Sequence, residues 1–125
     1  MARILILEKD AELAKRWSRA LGEQGHEVHI SGDVYSALDH VEEFLPDIAI
    51  TEIFLDGLGG VAFTGRVKLK DASIKVIAVT GDPAGLDTSV GALSLARRVG
   101  ADLLLEKPIE TGALVAAVSR LLANA

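Results

Sequence analysis

Two hydrophobic periods alternate along the whole chain, and that alternation limits what it can fold into. Short apolar runs rich in β-branched residues occur at 3–8 (RILILE), 26–31 (HEVHIS), 47–52 (DIAITE), 74–80 (IKVIAVT) and 102–106 (DLLLE). The segments between them carry apolar residues at helical spacing. Leu13, Trp17, Ala20 and Leu21 share one face of 11–24. Val34, Ala37, Leu38, Val41, Phe44 and Leu45 do so in 33–45, and Leu114, Val115, Val118, Leu121 and Leu122 in 110–123. Two more helices are expected at 60–71 and 87–99, where Gly and β-branched residues dilute the pattern. Asp10 and Asp33 stand where helix N-caps belong. Gly25 and Gly100 stand where helix C-terminal glycines belong.

Strands 1, 3 and 4 are apolar nearly throughout, as strands covered on both faces must be. Right-handed crossovers then wind helices onto both sides of a parallel sheet. The expected fold is α/β: one flavodoxin-like (βα)5 domain over 1–125, doubly wound, with strand order 2-1-3-4-5. In that order the chain reverses direction between strands 1 and 3, and ligands bind beyond the carboxyl ends of the strands there. Strand 1 delivers Glu8, Lys9 and Asp10 to this crevice, and strand 3 delivers Glu52. Strand 4 delivers Thr80, Gly81 and Asp82, and strand 5 delivers Glu106, Lys107 and Pro108.

Composition removes several function classes. A net charge of −5 argues against a nucleic-acid surface, which needs clustered Lys and Arg. The absence of cysteine excludes disulfides, thiolate catalysis and thiolate metal sites. No apolar run approaches the roughly 18 residues of a membrane span. The N-terminal MARILILEKD is acidic by residue 8 and reads as a strand, not a signal peptide. A cytoplasmic protein is the expectation.

Four segments, in order and at matching spacing, give the chain a resemblance to the response-regulator receiver domain of two-component signalling. ILILEKD is similar to that family's first strand with its acidic pair, and PDIAITEIFLDGLGG to its third strand with the phosphoacceptor. VIAVTGD is similar to the fourth strand with its hydroxyl residue, and GADLLLEKPI to the fifth with its Lys-Pro. The resemblance implies a phosphoacceptor position at Glu52, an acidic pair at Glu8 and Lys9, and hydroxyl and lysine positions at Thr80 and Lys107. It implies a switch position at Leu104 and a cis bond at Lys107-Pro108. It also implies partners of three kinds: a sensor kinase, an output domain or a second receiver.

The departures from that family decide the functional expectation. Glu52 replaces the phosphorylated Asp, Lys9 replaces the second acid, and Leu104 replaces the usual aromatic. Mg²⁺ needs oxygen ligands in near-octahedral geometry. Lys9 removes one and brings a like charge, worth about 4 kcal/mol of repulsion at intermediate dielectric. Glu52 reaches about 1.5 Å further than Asp, which spoils a tuned in-line geometry. The expectation is therefore no enzyme, no cofactor, and Mg²⁺ binding absent or weak. Two readings of Glu52 stay open. It mimics a phosphorylated acid, paired by Lys9 and Lys107 and accepting from Thr80, or it is an inert acid in a decayed pocket. A working phosphoacceptor, with Asp10 as stand-in metal ligand, and a small-anion-binding module are the alternatives.

Other motifs add little chemistry. GLGGVA at 57–62 fits G-x-G-x-x-A, but it does not follow its strand directly and no acid ends the next one, so it reads as a flexible turn opening helix 3. The KLK at 68–70 reads as the solvated end of that helix. His26, His29 and His40 have no partner set for a metal. On helix 4, Ala92, Leu95, Ala96 and Val99 form the core stripe, which leaves Val90, Leu93 and Arg97, with Leu104 beside them, as a docking face and a possible homodimer surface.

Overall fold

The computed structural model describes residues 1–81 and 88–124, with the side chains of 88–90, 92 and 93 set aside. Five strands and five helices alternate. They are β1 (Arg3–Leu7), α1 (Ala11–Glu23), β2 (Glu27–Ser31), α2 (Val34–Phe44) and β3 (Ile48–Glu52). They continue as α3 (Gly59–Lys70), β4 (Lys75–Thr80), α4 (Thr88–Arg98), β5 (Leu103–Glu106) and α5 (Thr111–Ala123). The sheet is parallel throughout, in the order β2-β1-β3-β4-β5. The doubly wound α/β fold expected from the alternating periods is the fold observed.

Strand pleat divides the core in two. Ile4 and Ile6 of β1, with Ile48, Ile50, Ile77 and Val79, pack under Trp17 and Leu21 of α1 and Leu114 and Val118 of α5. Leu5 and Leu7, with Ala49 and Val76, pack under Ala37 and Val41 of α2 and Phe63 and Val67 of α3. A smaller group under α4 holds Ile53, Val61, Ala78 and Ala96. Each fully buried large side chain contributes roughly 1.5–3 kcal/mol.

The helix ends follow the local rules. Asp10 accepts from the Glu12 and Leu13 amides, and Asp33 accepts from the Ser36 amide. Gly25 and Gly100 take φ of +91° and +115°. The end of α2 departs from expectation. Leu45, read as part of its apolar face, turns left-handed at φ 53° and is 64% exposed. Leu95 of the expected α4 stripe is also exposed, whereas Ala96 is buried and Val99 packs beside it. In the KLK run Leu69 and Lys70 are exposed as expected, but Lys68 is not solvated. Lys68 Nζ donates to the Ile74 carbonyl at 2.6 Å and reaches Asp102 Oδ2 at 2.7 Å, and Asp102 also accepts from the Val76 amide. Lys70 pairs with Glu42 of α2.

Nor are the glycines after β3 merely flexible. The Gly60 amide donates to the Ile53 carbonyl at 3.0 Å. A Cβ on Gly60 would sit 1.8 Å from the Glu52 carbonyl oxygen, which is backbone and cannot swing away. Gly57 has open space around it but a φ of +88°. Gly60→Ala is therefore expected to cost about 3 kcal/mol or to prevent folding, and Gly57→Ala about 1 kcal/mol. Urea unfolding of the two variants checks the ranking.

Candidate functional site

β1 and β3 are neighbours, and an acid stands at the same end of each, Glu8 just past β1 and Glu52 as the last residue of β3. Glu8 is 3% exposed and Glu52 is 5% exposed. Lys107, just past β5, supplies the charge between them. Its Nζ lies 2.7 Å from Glu8 Oε1 and 3.0 Å from Glu52 Oε2. The same ammonium stands 6.0 Å from the ring centre of Trp17, the chain's single tryptophan. Lys107-Pro108 is cis, and the Lys107 amide donates to the Thr80 carbonyl at 2.7 Å, which fixes where the lysine stem leaves β5.

The remaining expected site residues divide. Thr80 lies at the end of β4 and is buried, but its Oγ1 has no hydrogen-bond partner among the described residues. Glu52 does not accept from it, contrary to the phosphate-mimic arrangement. Lys9 is exposed and forms no ion pair among the described residues. The cation between the acids is thus Lys107 and not Lys9. The reason is geometric, because Lys9 follows the end of β1 and its side chain faces solvent. Asp10 is committed to capping α1, and its own amide donates to Glu8 Oε2 at 2.9 Å.

On the docking face, Arg97 is exposed on α4. Leu104 is partly buried. It packs with Phe54, Val99 and Ala101 against the small core group under α4. Val90 and Leu93 lie outside the residues whose side chains are described. Two contributors were not legible as such. Gly81 makes room for the lysine, since a Cβ there would stand 2.8 Å from Lys107 Cδ. Phe54, two residues past Glu52, packs against the same small core group as Leu104. A glycine directly after the tip of a central strand was the available signal for the first.

Burial pushes the Glu52 carboxyl above its ordinary value; Lys107 pulls it down, and the Glu8 charge adds to the rise. Burial works against the Lys107 ammonium, but the two carboxylates outweigh it and hold it above the ordinary lysine value. The arrangement carries two acids on one cation in a poorly hydrated place. Its chemical capacity is to hold one positive charge that the chain itself supplies.

Comparison with known proteins identifies the family. The model of the family described as "Response regulator receiver domain" matches residues 4–119. The chain belongs to the response-regulator receiver family. It is 32% identical over 116 residues to the DNA-binding response regulator MtrA of Mycobacterium tuberculosis, covering 93% of this chain and 48% of that protein. It is 30% identical over 122 residues to the virulence transcriptional regulatory protein PhoP of Salmonella typhimurium, covering 98% of this chain and 52% of that one. The chain thus spans about half the length of these curated relatives. Among solved structures, a CheY-like receiver domain protein from Methanospirillum hungatei superposes with a TM-score of 0.86 at 26% identity, covering 99% of this chain and 95% of that chain. NtrX from Brucella abortus in complex with ADP superposes at 0.87 and 25% identity, covering 98% of this chain and 27% of that chain. No described helix is long and apolar enough to cross a membrane.

The pKa directions set the sign of a pH effect. A carboxyl raised in the fold binds a proton that the unfolded chain has released, so its charging lowers stability as pH rises above 4.5. Lys107, also raised, has the same sign at the alkaline end, where its contribution is present below pH 10.5 and is lost as pH rises through its folded value. Glu52→Gln is expected to unfold at higher urea than the parent at pH 7.5. That advantage should shrink as pH falls toward 4.5, as urea midpoints across the range will test.

Proposed function

We propose that this chain is a receiver that works as a protein-interaction module without Mg²⁺-dependent phosphorylation. The observation that carries the reading is the Lys107 ammonium bridging Glu8 and Glu52. The family implies Mg²⁺ at these acids, and the residues present do not fit it. Among the described residues, which do not include Asp82, two carboxylates face the place, and an internal cation already contacts both. Asp10 is spent on the cap of α1, and the second acidic position is the exposed Lys9. Among the described residues no group of three or more His, Asp or Glu could hold a metal. A transferring phosphoryl group needs such a cation to neutralise its developing charge.

Glu52 engages Lys107 but not Thr80, which supports an inert acid over a phosphate mimic. The partners that suit such a module are a sensor kinase, an output domain or a second receiver. The relatives named as DNA-binding are about twice this chain's length. An acidic receiver of net charge −5 fits the signalling part of such a regulator better than its DNA contact.

Treatment with acetyl phosphate and Mg²⁺ is expected to leave the intact mass unchanged, and the Lys9→Asp/Glu52→Asp double variant should gain about 80 Da, one phosphoryl group. A gain of that mass by the parent chain would falsify the reading.

A further inference from the structure

A second polar arrangement lies under α2, away from the crevice. Strand register sets Arg3 beside Glu27, Leu5 beside His29 and Leu7 beside Ser31. Glu27, His29 and Ser31 therefore project from one face of β2. α2 brings His40 and Phe44, one turn apart, over that face. The His29 ring stacks on Phe44 with centroids 3.8 Å apart and planes 10° from parallel. The His40 ring meets His29 edge-on at 5.8 Å. His40 Nδ1 lies 2.6 Å from Ser31 Oγ. His29 Nε2 lies 3.6 Å from Glu27 Oε2, and Glu27 Oε1 lies 3.9 Å from Arg3 Nε. The Arg3 guanidinium stands 4.6 Å from the centre of the same Phe44 ring.

Charge is finely balanced here. With both imidazoles neutral, Arg3 and Glu27 offset one another. One proton on His29 is accommodated, because the imidazolium would face both the Phe44 ring and the Glu27 carboxylate. A second proton, on His40, would set two cations 5.8 Å apart with Arg3 as a third and only Glu27 to oppose them. The other acids nearby do not help. Asp47 accepts from the Arg3 amide, Asp39 and Glu43 point to solvent, and Glu42 is held by Lys70.

His29 belongs to the sheet and His40 to the helix, so this repulsion acts across their boundary. Histidine is the side chain whose ordinary charge change falls between pH 5 and 8. We propose that the His29–His40 pair is a proton-operated catch, which holds α2 on β2 while at most one imidazole is charged and loosens it when both are. The catch has a route to the crevice. Val34 at the start of α2 packs so closely on the first residue of α3 that a Cβ on Gly59 would lie 3.2 Å from it. Lys70 ties α2 to α3. The inference stands whether or not Glu52 accepts a phosphoryl group.

The test follows both imidazoles by NMR while measuring amide hydrogen exchange of the full chain between pH 8 and pH 5, corrected for intrinsic exchange. The expected result is a coupled, two-step titration. Protection of the α2 amides should fall about tenfold more than that of α1 and α5 over the second step. In His29→Gln, His40 should titrate in a single step and α2 protection should track that of α1. If that variant does not fold, His40→Gln with His29 observed serves equally, and the parent's own titration decides in any case. Independent titration of the two rings, or α2 and α1 protection changing in parallel in the parent, overturns the proposal.

Discussion

Burial of β1, β3 and β4 on both faces is the constraint from which the rest follows. Helices cover the sheet above and below, so charged side chains have no place along these strands. Polar residues are confined to the strand ends. β1 and β3 run parallel and side by side, so Glu8 and Glu52 emerge at the same end. Two buried acids there are costly alone, since an isolated buried charge loses its hydration without return. The Lys107 ammonium, held between them, is what lets both remain in the fold.

That compensation connects the site to elements far apart in sequence. Lys107 leaves β5 beside the Thr80 carbonyl, and its stem lies against Gly81, where any side chain would crowd it. Gly60 brings the start of α3 against the backbone of Glu52 and Ile53. The crevice is thus framed by close backbone approach on one side and a lysine stem on the other. Lys68 does comparable work at the opposite end of the sheet, where it joins the end of α3 to the Ile74 carbonyl and Asp102.

Much of this was legible beforehand. Strand and helix order, the sheet order and both aspartate caps follow from period and local chemistry, because those signals act over a few residues. Membership of the receiver family was legible from four short segments. The misreadings share a cause, which is that a side chain's direction is set by tertiary packing. Lys9 and Lys107 are both lysines near the crevice, and only the path of β5 and the room at Gly81 decide which one enters it. Lys68 looked solvated because its partners, Ile74 and Asp102, are distant in the chain or hidden in its backbone. Leu45 and Leu95 carry the right spacing for burial, yet the left-handed turn at Leu45 and the placement of α4 leave both exposed.

The amino-acid sequence by itself determined the architecture, the family and the list of groups that could meet at the crevice, since hydrophobic period and strand-end position are local properties. Only the tertiary structure decided which ammonium stands between the acids, that Thr80 stays apart from Glu52, and that two histidines from different elements face each other under α2. Those are distances between side chains brought together by packing, and no spacing along the chain encodes them directly.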